Sequence, residues 1–198
     1  MSGRATILTG LLLALVLGIG AVAWQGPSVT TLATYATSLD GRSRSQRHNA
    51  LLALQRLDGA VIAPGATFSF NDQVGSWSRD QGYVKAPVSF SGQLIPSWGG
   101  GVCQTSTTLY NVALLAGCDI TERHRHHFAP TYCPPGRDAA VAYDAIDLAF
   151  RNPYPWPLTL HTESRHDRIV ISMTGRHGAP PVQLETQVYE LRRPATLS

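Results

Sequence analysis

The chain has 198 residues, 43% of them hydrophobic and 15% charged, with a formal net charge of +3. This is enough apolar material for a core of ordinary size and too much for a disordered chain. The small positive excess is dispersed, as at Arg42, Arg44 and Arg47, and no stretch interleaves basic with aromatic residues, so nucleic acid is not an expected partner.

Arg4 precedes twenty uncharged residues, 5–24, which is long enough to span a bilayer. The apolar centre of this run also has the length of a secretory h-region, and Ala21-Val22-Ala23 fits an A-x-A cleavage site. Signal peptide and membrane anchor are both open, and either one exports everything after residue 24. The expected location is the extracytoplasmic cell envelope, with the cytoplasmic membrane contacted through this segment.

Residues 25–44 are rich in Ser, Thr and Gly and read as a linker, with room for a short strand at TTLATYATS. Ser45 is the expected N-cap of an amphipathic helix over QRHNALLALQRLDG, with Ala50, Leu51, Leu54 and Leu57 on one face and Gly59 at its end. Pro64-Gly65 predicts a turn, and 67–70 a short strand with Phe68 and Phe70 on one side. GYVKAPVSFSG predicts another extended piece, broken by Pro87. After a glycine run comes a helix over about 103–116, stopped by Gly117. CDITERHRHHF predicts a strand and APTYCPPG a loop. Ile146, Leu148 and Phe150 alternate, as do Ile169, Ile171 and Met173; PLTLHTE lies between them, and PVQLETQVYEL predicts a last strand. The fold class is therefore α+β: a single domain with two main helices and a mostly antiparallel sheet, preceded by the N-terminal hydrophobic segment. The divisions are 1–24 signal peptide or anchor, 25–44 linker, 45–190 domain and 191–198 tail.

The chemistry-bearing stretch is GGGVCQTSTTLYN, residues 99–111. The chain has 3 cysteines, Cys103, Cys118 and Cys133, and no C-x-x-C, which excludes a thioredoxin-like motif and a four-cysteine zinc site. Outside the cytoplasm thiols tend to pair, and an odd count leaves one over. At 100° per residue, Leu109, Val112, Ala113 and Ala116 gather on one side of the helix, while Cys103, Ser106, Thr107 and Tyr110 lie away from it. Cys103 is thus off the packing stripe. At a helix N-terminus the macrodipole and unpaired N–H groups favour a thiolate and can receive an oxyanion. Gly99, Gly100 and Gly101 remove side chains that would block a peptide. The plainer reading is a structural cysteine opening a buried helix. A base is available in ERHRHH: on a strand, Glu122, His124 and His126 share one face and His127 points the other way. The plainer reading there is a solvated basic strand. A zinc site of two histidines and Cys103 lacks a fourth ligand, so neither metal nor cofactor is expected.

LDGAVIAPGATFSFNDQVG, GGGVCQTSTTLYNVALLAG, ERHRHH, PPGRDAAV and DLAFRN, in this order and at these spacings, resemble the VanW domain, named for a protein of vancomycin-resistance clusters. The resemblance runs over about residues 45–162. Some VanW domains are understood to be L,D-transpeptidases, which form 3-3 cross-links in peptidoglycan with the motif cysteine as nucleophile. The resemblance therefore implies peptidoglycan stem peptides as partners, Cys103 as nucleophile and His124 or His126 as base. Gly100, Gly101 and helix N–H groups near Gln104 and Thr105 would hold the oxyanion, with Ser106, Thr107 and Tyr110 lining the groove. Asp138, in the PGRDA loop, would orient the histidine or hold the incoming ammonium. Where Cys118 and Cys133 stand the family usually has aliphatic or aromatic residues, and a serine replaces His127. Two such additions in an exported protein imply a Cys118–Cys133 disulfide, leaving Cys103 as the free thiol. A cysteine peptidase acting on wall peptides stays open beside the transpeptidase. So does a non-catalytic module that binds peptidoglycan precursors, linked to glycopeptide resistance.

Overall fold

The computed structural model describes residues 28–90 and 93–176; the hydrophobic segment 1–24, the last predicted strand and the tail lie outside them. The first element, β1 (Val29–Ser38), covers the TTLATYATS stretch expected as a short strand within a linker, and it is a full member of a sheet. It pairs antiparallel with β9 (Arg168–Arg176), from Val29↔Arg176 to Ser38↔Arg168. Its inward positions Ala33 and Thr37 are small or polar, so the strand lacks the apolar alternation that betrays β9, and a register shift between Thr31 and Ala33 blurs the period further.

Helix α1 (Arg44–Leu57) starts two residues before the predicted point. Its cap is Ser43, not Ser45: the Ser43 side chain accepts from the Gln46 amide at 3.2 Å, and Gln46 Oε1 accepts from the Ser43 amide at 3.1 Å. This reciprocal S-x-x-Q box satisfies two orphan donors at once, which a cap at Ser45 does not offer. Ala50, Ala53, Leu54 and Leu57 are buried from α1. Then follow β2 (Val61–Ile62), β3 (Thr67–Ser69), the short α2 (Phe70–Val74) and a 3-10 turn, Arg79–Gln81.

β4 (Lys85–Phe90) and β5 (Gln93–Trp98) form a two-stranded antiparallel hairpin in which Pro87 faces Pro96. The sequence hides β5 because a proline interrupts each strand. A two-stranded ribbon tolerates both, since each strand has an outer edge where the missing N–H breaks no ladder. Helix α3 (Val102–Leu115) ends as predicted: Cys118 N–H reaches Ala113 O at 2.9 Å and Gly117 N–H reaches Leu114 O at 3.2 Å, with Gly117 at φ 76°. That is a Schellman closure, and it needs the glycine.

β6 (Asp119–Glu122), β7 (Ala149–Arg151), β8 (Leu158–Arg165) and β9 complete the domain. The strand predicted through the histidines stops at Glu122, and Ile146 stays outside β7; residues 123–148 run as an irregular loop with two isolated bridges, His124↔Ala140 and Ala142↔Ile146. The strands form an antiparallel sheet ordered β1-β9-β8-β2, a second sheet β3-β7-β6, and the β4-β5 hairpin. The fold is α+β and mostly antiparallel. α3 packs on β1 and β9, with α1 against α3 and β8. Leu57, Leu109, Val112, Leu158, Leu160, Ile169, Ile171 and Met173 fill the interior between them. α3 is thereby buried on nearly every side, and only Cys103, Tyr110 and its last turn reach partial exposure.

Candidate active site

The glycines before α3 are there for the protein's own packing. A side chain at Gly99 would strike the Trp77 ring, one at Gly100 the carbonyls of Ala86 and Pro87 at 2.8 Å, and one at Gly101 the Gln46 carbonyl of α1. The space expected for a peptide at these three residues is therefore filled by the chain itself. Asn49 on α1 fixes the turn, donating to Gly100 O and Val84 O at 2.9 Å each and accepting from Val84 N–H at 2.9 Å. Gly101, at φ 109°, is the N-cap.

The turn also decides which amides are available. Val102 N–H is used by Gly99 O (2.9 Å) and Gln104 N–H by Gly101 O (3.1 Å), whereas the Cys103 amide has no backbone acceptor among the described residues. The amide left free at this helix start is therefore Cys103's own N–H, not that of Gln104.

The hydroxylated residues that follow do not line a groove. Gln104 is buried, its amide donating to Ser38 O at 2.6 Å and tying α3 to β1. Thr105 is buried and donates to Ala50 O on α1 at 2.8 Å. Ser106, also buried, donates to Ala139 O at 2.7 Å, and Thr107 Oγ1 accepts from Ala139 N–H at 3.0 Å. Asn111 bridges to Arg137, donating to its carbonyl at 2.8 Å and accepting from its Nε at 2.6 Å. In a helix with almost no open face, these polar side chains are satisfied by carbonyls of the packed loop, strand and helix, which is what lets them be buried. Ser106, Thr107 and Asn111 hold down the loop residues 137–139, and with them Asp138.

Asp138 is where the site closes. Its Oδ2 accepts from the backbone N–H of His126 at 2.7 Å and from His126 Nδ1 at 2.8 Å, while Oδ1 accepts from Arg123 Nη2 at 3.0 Å. Arg123 Nε also donates to Asp138 O at 2.7 Å, and its guanidinium lies 5.3 Å from the centroid of the half-buried Tyr110 ring, which supports it. With Nδ1 donating to Asp138, His126 has Nε2 free, and its charge is coupled to the nearby Cys103 thiol. The Cys103 thiol also points to Val141 O, at 3.4 Å. Of the two histidines predicted to share a face, only His126 is coupled to the cysteine. His124 turns to Glu122 at 2.9 Å on the exposed side, and Glu122 also accepts from the Asp147 N–H at 2.9 Å. The backbone leaves strand geometry after Glu122, and that separates the pair. His127 is exposed and packs edge-on against Phe128.

The electrostatics follow from these contacts. Burial opposes a charged His126, but the hydrogen bond and charge of Cys103, and then those of Asp138, outweigh it and raise its pKa above the ordinary histidine value. Burial likewise opposes an ionised Asp138, but His126 and then Arg123 hold it below the usual carboxylate range. Asp138 is thus biased toward its anion and His126 toward its protonated form, each favouring the charge of the other.

An NMR titration of the histidines should therefore find His126 titrating above about 6.5, and both Asp138→Asn and Cys103→Ala should bring it down. Because its folded pKa is raised, the stability His126 contributes is complete below about 6.5 and is lost as pH rises through the folded value. Asp138, whose folded pKa is depressed, contributes above about 3.9 and loses that contribution as pH falls through its folded value. The charged pair is intact between those two folded values. A wild-type His126 titrating at or below 6.5 would contradict the pairing.

The three cysteines are unbridged in the structure, so the Cys118–Cys133 disulfide is not formed. Cys118, after the C-terminal end of α3, packs against Met173 Sδ at 3.7 Å, and burial followed by the nearby Asp119 pushes its thiol up to about 12. Cys133 is buried beside the Asp138 loop, and burial followed by the Asp138 charge pushes it up to about 11. Both stay thiols near neutral pH; Cys103 is the half-buried one. The structure adds Arg123, Asn49 and Tyr132 to the residues that build the site. No short-range pattern marks them, since each is defined by a partner distant in sequence.

Residues 45–174 match the family model described as "VanW like protein". Among curated proteins, the chain is 36% identical over 146 residues to the "Uncharacterized protein YoaR" of Bacillus subtilis (strain 168), covering 74% of this chain and 48% of that protein. It is 35% identical over 109 residues to the "Vancomycin B-type resistance protein VanW" of Enterococcus faecalis (strain ATCC 700802 / V583), covering 52% of this chain and 40% of that protein. The chain spans less than half the length of each of these relatives. No solved structure matches it.

Proposed function

The chain belongs to the VanW-like protein family, and from that premise and the site geometry we propose that it is an exported L,D-transpeptidase acting on peptidoglycan stem peptides. The observation that carries the reading is the grouping of Asp138, His126 and Cys103 at the start of α3: a carboxylate hydrogen-bonded to a histidine whose charge is coupled to a half-buried thiol. This is the arrangement of nucleophile, base and orienting group that acyl transfer through cysteine requires.

In this mechanism Cys103 gives its proton to His126 Nε2, and the sulfur attacks the carbonyl carbon of the third residue of a donor stem. The Cys103 amide stabilises the oxyanion. The C–N bond to the terminal D-alanine breaks as His126 returns the proton to the leaving nitrogen, and a thioester remains on Cys103. An amine of a neighbouring stem then loses a proton to His126 and attacks the thioester carbon. The new amide forms, and the sulfur leaves and recovers the proton. One amide bond replaces another, so the exchange needs no external energy, a condition suited to the outside of a membrane. Arg123 and Asp138 contribute charge and orientation and do not exchange protons.

Purified protein given disaccharide-tetrapeptides should yield dimers joined between third residues, together with free D-alanine, read by mass spectrometry. Monomeric tripeptide alone would mean that water is the acceptor and the protein is a peptidase. Unchanged tetrapeptide that still binds would make it a recognition module.

A further inference from the structure

The β4–β5 ribbon has one covered edge and one open edge. Pro87 and Pro96 face each other across it and neither carries an N–H, so the bonded pairs are the flanking ones, Ala86–Ser97 and Val88–Ile95. The backbone groups of Pro87 on β4, and of Pro96 and Trp98 on β5, therefore point away from the ribbon. On the β4 side α1 meets them: Gln46 Nε2 donates to Pro87 O at 2.9 Å, and Asn49 bonds both the N–H and the carbonyl of the adjoining Val84. On the β5 side, Pro96 O, Trp98 N–H and Trp98 O have no partner among the described residues. Ile95 and Trp98 are 41% and 39% exposed, and residues 93–98 carry no charge. Charge is what ordinarily protects an open edge strand, and this edge has none.

Pro96 decides what the edge can take. An antiparallel strand, including the two-fold pairing of a second copy of β5, exchanges two bonds with each residue it faces and loses one of them at Pro96, in the middle of the strand. A strand running the same way as β5 loses nothing there. In parallel pairing one residue donates its N–H to an outward carbonyl and accepts from the outward N–H two residues further on, and these are Pro96 O and Trp98 N–H. The edge thus suits a short extended segment parallel to β5, held by its main chain.

β5 also runs directly into the site. Val102 N–H donates to Gly99 O at 2.9 Å, closing a turn whose end Cα atoms lie within about 7 Å of each other. One peptide step of about 3.8 Å on either side puts the Cα atoms of Trp98 and Cys103 at most about 15 Å apart. An extended tetrapeptide spans about 13 Å. A strand parallel to β5 carries its C-terminal end toward that turn, and the C-terminal end is the one cut in the reaction proposed above. We infer that the donor stem peptide adds to the outer edge of β5 as a short parallel strand, with Pro96 O and Trp98 N–H binding the main chain of one residue upstream of the attacked carbonyl. This rests on Cys103 being the acyl-accepting group, as above. The edge holds and aligns the donor and takes no part in proton transfer.

The test uses full-length Cys103→Ala protein, a disaccharide-tetrapeptide as ligand, and hydrogen exchange resolved to single amides. At saturation the Trp98 amide should exchange about 10-fold more slowly than in the free protein. The Ile95 and Ser97 amides, already bonded to β4, should not change. Two further variants separate ring from backbone: Trp98→Ala keeps the amide and loses the indole, while Trp98→Pro loses both at a position whose N–H makes no ladder bond. By calorimetry Trp98→Pro should bind the ligand about 3- to 10-fold more weakly than Trp98→Ala, the worth of one main-chain hydrogen bond. No binding, no slowing at Trp98, equal slowing at Ile95 and Ser97, or equal affinities of the two variants would overturn the assignment. So would slowing at Trp98 that grows with protein concentration in the absence of ligand, which makes a second copy the occupant. Dimer formation by wild-type protein is read in parallel. Slowing at Trp98 without dimers would defeat the transpeptidase reading and leave the strand addition standing. Dimers without slowing at Trp98 would do the reverse.

Discussion

His126→Ala is expected to lower acyl transfer by about 10²- to 10⁴-fold, the usual contribution of a positioned acid–base group, whereas His124→Ala should stay within a few-fold of wild type. The contrast is sharp because the two residues are only two positions apart and carry the same ring. His126 is held between the buried Asp138 and Cys103, and His124 pairs with Glu122 at the surface. Cys103→Ala should abolish the reaction. Asp138→Asn should fall between, since it keeps a hydrogen-bond partner but loses the charge that steadies the imidazolium. Dimer yield by mass spectrometry measures all four, and the alkylation rate of Cys103 gives an independent reading of His126. Equal losses in the two histidine variants would contradict the arrangement.

Gly101→Ala should be the most damaging small substitution in the domain. The residue sits at φ 109°, and a methyl group there meets the Gln46 carbonyl of α1. Backbone strain of about 1–3 kcal/mol adds to an overpacking cost of similar size. A loss of roughly 3–5 kcal/mol, or a fall in Tm of about 10 °C, is expected. Gly65→Ala is the matched comparison, because Gly65 has φ +71° with nothing within 4 Å of the added methyl. That variant should cost about 1 kcal/mol, from backbone strain alone. Thermal melts of the two variants separate the packing effect from the conformational one. Equal melting temperatures would show that the glycine run is not a packing device.

The amino-acid sequence by itself determined the elements whose signals are local. The apolar positions of α1, the glycine stop of α3 and the alternation of Ile169, Ile171 and Met173 are readable within a few residues, because each reflects the periodicity of one element against one core. Cys103 at the head of a helix, off its apolar stripe, was legible for the same reason. Only the tertiary structure decided which partners that cysteine has. The strand geometry that would have kept His124 and His126 on one face ends at Glu122, and Asp138, twelve residues beyond His126, picks that ring. The hydroxyls of α3 look like a polar groove in a helical projection, yet they are buried because loop and strand carbonyls close over them. Likewise the glycines look like room for a substrate, but α1, Trp77 and the β4–β5 hairpin occupy that room. β1 was legible only as a short strand within a linker, because its inward residues are small or polar; its pairing with β9 makes it a full member of the sheet. In each case the deciding quantity is whether a polar or empty position meets water or another part of the chain. That depends on contacts between segments far apart in sequence, to which a window along the chain is blind.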